Sequence, residues 1–79
     1  MAMEEVFDYT RTDTAWHCRE GFIPVIEVRG RDSAGKLYKG HEHVSRSGFH
    51  IRKEDAIAVA QRTPIKSVVL DGDDLRIRL

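Results

Sequence analysis

Only one stretch of this chain, Arg52 to Arg62, carries the apolar spacing of an α-helix. Ala56, Ile57, Val59 and Ala60 recur at i, i+3 and i+4 intervals, and Glu54 and Asp55 lie where the positive end of the helix dipole favours acids. Pro64 stops the segment. Its small alanines let the helix lie close to a sheet, and Phe49 and Ile51 are expected to pack where the chain approaches it. With a single helix available, the sheet must come from everything else.

The remaining apolar residues read as strands. Phe22 to Val28 is rich in β-formers, with Ile26 and Val28 on one face and Glu27 and Arg29 on the other. Asp32-Ser33-Ala34-Gly35 supplies turn chemistry, and Lys36 to Val44 returns as a partner strand. Pro24 cannot donate to a ladder, which places the first half of the Phe22 strand at an edge or bulge. Beyond Pro64, Ile65 to Leu70 reads as a strand and Asp71-Gly72-Asp73 as a tight turn, after which Leu75, Ile77 and Leu79 alternate with Arg76 and Arg78. The N-terminal stretch holding Val6, Phe7, Tyr9, Trp16 and Cys18 fits strand better than helix. The expected fold is α+β: a mainly antiparallel sheet of four to six strands with one helix packed on one face, in the order β-hairpin, helix, β-hairpin.

At 79 residues the chain is expected to be a single domain, 1–79, because halving it leaves pieces below the roughly 40 residues that bury a core unaided. The single cysteine, Cys18, has no partner for an internal disulfide, which fits a cytoplasmic setting. No apolar run approaches the roughly 18 residues that a membrane span needs.

A formal net charge of zero conceals strong segregation. Residues 29–53 carry seven bases (Arg29, Arg31, Lys36, Lys39, Arg46, Arg52, Lys53) against two acids (Asp32, Glu42), a net of +5. Residues 1–13 are −3, while 14–28 and 54–79 are −1 each. Two faces of opposite sign would select and orient a charged partner.

Candidate chemistry is sparse. In His41-Glu42-His43 strand alternation would turn both imidazoles to one side, but His17, Cys18 and His50 lie at spacings that complete no zinc signature. His17 and Cys18 are strand neighbours that point to opposite faces, so they make a poor base and nucleophile. Asp71, Asp73 and Asp74 around Gly72 lack the glutamate of a calcium loop. No phosphate-binding glycine loop or hydrolase motif occurs, so neither enzymatic activity, nor a metal, nor a cofactor is expected.

The basic hairpin remains. Arg29 and Arg31 share a strand face with Glu27, and Lys39, His41 and His43 share another. A protein partner is the favoured reading, with Arg29, Arg31, Lys36, Tyr38, Lys39, Arg46, Arg52 and Lys53 as candidate partner-binding residues, since interfaces favour Arg with Tyr or Trp. A small single-stranded nucleic-acid-binding module is the alternative. It is disfavoured by a pI near 6.9 and by the presence of only Tyr38 and Phe49 as aromatics among the bases.

With no catalytic motif, a hairpin from Phe22 to Val44, a Phe49-led helix containing Glu54-Asp55-Ala56 and Ala58 to Ala60, and a closing hairpin through Asp71-Gly72, the chain resembles small phage-encoded inhibitors of host defence, in particular anti-CRISPR proteins of type I systems. The resemblance implies stoichiometric inhibition by docking on a subunit of the interference complex, which would block target-DNA binding or nuclease recruitment. Several such inhibitors are acidic DNA mimics; this chain is neutral, and the resemblance assigns no particular residues.

Overall fold

The structure, a computed structural model, describes residues 4–79. In chain order the elements are β1 (Glu4–Glu5), β2 (Thr10–Cys18), β3 (Gly21–Arg31), β4 (Leu37–His43), a short 3-10 turn (Ser45–Ser47), α1 (Lys53–Arg62), β5 (Ser67–Asp71) and β6 (Asp74–Arg78). The α+β class, the antiparallel strands and the single helix follow the sequence expectation. The six strands divide between two three-stranded sheets, β2-β3-β4 and β1-β5-β6. None of the described helices is long and apolar enough to cross a membrane.

The division follows from what must be covered. The register of β2 and β4 against β3 puts Arg11, Asp13, Ala15, Ile26, Val28, Tyr38 and Gly40 on one face of the larger sheet, here called inner. Helix α1 lies against β2 and β3, and β6 lies against β4. Ile26 and Val28 are thereby sealed in one core with Val44, Ala60, Val68, Leu75 and Ile77. Neither the helix nor the closing hairpin alone is wide enough to hide this face, so the two share it.

Two glycines make the close packing possible. A Cβ on Gly40 would overlap the carbonyl oxygen of Leu75 and sit 2.8 Å from its carbon, so β4 and β6 touch backbone to backbone. Gly21, with φ +134°, follows the Arg19-Glu20 turn between β2 and β3, and a Cβ there would come 2.7 Å from the His50 carbonyl oxygen.

Pro24 sits where its missing donor does least harm. Its carbonyl accepts from Val44 N–H at 2.9 Å, and the reciprocal donor is the one proline lacks; the Val44 carbonyl takes the Ser47 hydroxyl instead, at 3.3 Å. Past this point β4 is gone, and Phe22 exchanges two 2.8 Å backbone hydrogen bonds with His50. The edge expected from Pro24 is therefore not found: β3 is the central strand, paired with β2 along the whole length of β2, and on the β4 side the missing Pro24 donor coincides with a short gap in pairing between Val44 and His50. The same Phe22–His50 bridge corrects the expectation for Phe49 and Ile51. Alternation about the bridged His50 turns both outward, leaving Phe49 46% and Ile51 94% exposed.

On α1 the sheet-facing line is Ala56 and Ala60, both fully buried, with Ile57 and Val59 half-buried beside them. The helix C-terminus is held from the sheet: the Arg11 guanidinium donates to the carbonyls of Ala60 at 2.8 Å and Thr63 at 2.6 Å, and to Asp13 at 2.7 Å. Carbonyls that a helix end leaves without partners thus meet a cation where the dipole is negative.

The β3–β4 turn is organised by Asp32. One carboxylate oxygen accepts the N–H groups of Ala34 and Lys36, each at 2.9 Å, and the other accepts the Tyr38 hydroxyl at 3.0 Å. The Lys36 N–H, with further help from Tyr38 and Ala34, holds the carboxyl below its ordinary value of 3.8. A lowered folded-state pKa means that the turn's contribution is present above the ordinary value and is lost as pH falls through the folded one. Asp32→Ala should therefore destabilise the domain near neutral pH and flatten the acid decline of its melting temperature between about pH 5 and pH 2. Parallel acid curves for variant and parent would contradict this role.

Candidate functional site

The opposite, outer face of the β2-β3-β4 sheet presents Thr10, Thr12, Trp16, Arg29, Lys39, His41 and His43 to solvent, and along β4 it is bordered by Asp71, Asp74 and Arg76 of the β5–β6 hairpin. Its composition follows from register. Arg29 stands opposite Thr10 on one side and Lys39 on the other, Glu27 opposite Thr12 and His41, and Val25 opposite Thr14 and His43. The two groups assigned from sequence to separate strands, Arg29 with Arg31 and Lys39 with His41 and His43, thus form one surface. Arg29 and Lys39 form no ion pair among the described residues. Arg31 uses one guanidinium nitrogen to close the turn, donating to the Gly35 carbonyl at 3.0 Å.

Trp16 completes this surface from β2. Its ring centroid lies 4.7 Å from that of His41 and 5.1 Å from that of His43, tilted at 49° and 77°. To reach β4 the indole must cross the central strand over Val25, which is why that outward-facing valine is fully buried. The indole itself remains 38% exposed. His41 and His43 do share a face, with centroids 5.9 Å apart. Among the described residues no group of three His, Cys, Asp or Glu side chains is placed to hold a metal ion. His17 points to the other face, stacked on Phe22 at 4.5 Å, away from Cys18.

The other candidate partner-binding residues lie elsewhere. Lys36 pairs with Asp73 at 3.1 Å, tying the β3–β4 turn to the β5–β6 turn, and its ammonium lies 5.3 Å from the Tyr38 ring. The Asp73 carboxylate raises the Lys36 pKa, while Asp32 raises that of Tyr38 by accepting its hydroxyl proton. Tyr38 itself belongs to the inner face, against the core. Arg46 is in the 3-10 turn after β4, and Arg52 and Lys53 are at the start of α1. Closeness in sequence grouped these eight residues; the fold gathers Arg29, Arg31 and Lys39.

Trp16 was absent from the sequence-based candidates. A signal for it existed in the Arg19-Glu20 turn, which sets Trp16 opposite Ile23, on the same side as Arg29 three rungs of alternation further along. No protein-family model, curated protein or solved structure matches this chain.

Proposed function

We propose that this chain is a non-enzymatic binding protein that engages an anionic macromolecule through the outer face of its β2-β3-β4 sheet. The observation that carries the reading is the register that sets Arg29 beside Lys39 and both next to the Trp16, His41 and His43 cluster. Solvent-facing bases often serve only to keep edge strands from pairing. Arg29 is on the central strand, where no edge needs protection, so that explanation does not reach it. Arg with an exposed Trp is also the composition of binding hot spots. The resemblance to phage inhibitors supplies one such partner against which the face is tested, an acidic surface of a subunit of a bacterial nucleic-acid defence complex that docking would inhibit stoichiometrically.

The test is charge reversal with a matched control. Arg29→Glu, Arg31→Glu and Lys39→Glu together should leave circular dichroism intact, since exposed charges change stability by less than about 0.5 kcal/mol each. Binding to a purified type I interference complex should fall by about 30-fold or more, because an interfacial arginine anchor is worth about 2 kcal/mol and the introduced acids add repulsion. Reversal of Glu4, Glu5 and Asp8 to Lys should leave binding within a fewfold of the parent. The opposite pattern would move the functional surface to the acidic N-terminal side.

A further inference from the structure

Resting on the docking face just proposed, we infer that its anionic partner is single-stranded nucleic acid, with a base stacked on Trp16 and the backbone following Lys39, Arg29 and Arg31 along the sheet. The aromatic platform that was lacking among the bases in sequence is present in space. An indole and two imidazoles cluster within 5.9 Å of one another at one end of the face, and the cations occupy the other. Such a ring cluster is of use to a strand whose bases are unpaired, because stacking needs a free π-face and a duplex covers both faces of every base pair.

Charge complementarity points the same way. Three cations face out against the single carboxylate of Glu27, whatever the net charge of the whole chain. The zero net charge is made up partly by acids located elsewhere, including Glu4 and Glu5 on β1; Asp71 and Asp74 of the β5–β6 turn border the same hollow as Arg29, Lys39 and His41, where Asp71 is already paired with Arg76 at 2.6 Å. Length agrees as well. From the Trp16 row to the Arg31 row the face runs eight residues along β3, about 26 Å, which suits a site of roughly 4 nucleotides. Hydroxyls of Thr10, Thr12 and Thr14 line one side of the path and can hydrogen-bond to phosphate or base without requiring a particular sequence.

Trp16 is the only tryptophan, so intrinsic fluorescence reports on the proposed contact directly. Titration with oligo(dT) of about 12 nucleotides should quench the emission, and affinity should fall with salt at a log–log slope of about −2, as expected for three neutralised phosphates on a single strand. A duplex of the same length should bind at least about tenfold more weakly. Trp16→Ala should lower affinity for labelled oligo(dT) by about tenfold or more, and Trp16→Phe should recover most of the loss. Lys39→Glu, which leaves the indole untouched, should also abolish binding and guards against a folding defect in the Trp16 variants. Absence of quenching by oligo(dT) at low salt, or duplex binding as tight as single-strand binding, overturns the inference. Should oligo(dT) fail while the triple reversal still abolishes binding to the purified interference complex, the docking face stands and its partner is protein.

Discussion

Gly40→Ala should destabilise the domain by about 3 kcal/mol or more, a larger effect than a methyl group added at any other glycine of this chain. The added carbon would overlap the Leu75 carbonyl oxygen and lie within 3.2 Å of the Leu75 Cβ. A side chain can turn aside from such an overlap, but here the obstacle is backbone, held in β6 by pairing of Leu75 with Leu70. The methyl must therefore push β6 off β4, which opens the core around Val44, Leu75 and Ile77. Gly35→Ala is the instructive comparison. Its φ of +85° strains an L-residue, yet nothing lies within 4 Å of the new carbon, and the loss should stay near 1 kcal/mol. Urea denaturation of the two variants separates the causes: strain alone would make them alike, whereas a close crossing of two sheets makes Gly40→Ala much the worse. Equal midpoints would show that β4 and β6 do not touch as described.

Ile26→Ala should cost about 3–4 kcal/mol, near the upper part of the range for truncating a buried aliphatic side chain. Ile26 is fully buried at the centre of the inner face and belongs to the cluster shared with Val28, Ala60, Val68 and Ile77. It is thus enclosed by groups from the helix and from both sheets, and no one element can relax to fill the void. Ile57→Ala, on the half-buried flank of α1, should cost about half as much, and Ile51→Ala, at 94% exposure, should change stability by less than about 0.5 kcal/mol. Chemical denaturation reads all three. If Ile57→Ala proved as damaging as Ile26→Ala, the helix would be rotated from the Ala56–Ala60 contact line.

These expectations also mark what can be read from a chain of this kind before folding is considered. The alternation of Ile26 and Val28 with Glu27 and Arg29 and the 3.6-residue spacing of Ala56 and Ala60 are local signals, and both named their elements correctly. So did the turns at Asp32–Gly35 and Asp71–Asp73, because turn residues act on their own backbone. Ile51 misled because its apolar character says nothing about direction, which the Phe22–His50 bridge decides from across the sheet.

The candidate site divides along the same line. Arg29, Arg31, Lys39, His41 and His43 were legible as an accumulation of charge and imidazole, but the eight basic and aromatic candidates were grouped by neighbourhood in sequence, whereas the fold sets Tyr38 against the core and Lys36 on Asp73. Trp16 joins the cations only through the two-residue turn that sets β2 in register with β3, since a slip of one residue would send the indole to the opposite face. By itself the sequence determined periodicity, turn positions and segregation of charge, each a property of residues adjacent along the chain. The split into two sheets, the need for glycine at position 40 and the meeting of Trp16 with His41 and His43 were decided by the tertiary structure, because each depends on which distant backbone arrives alongside, and burial of one shared core selects that arrangement.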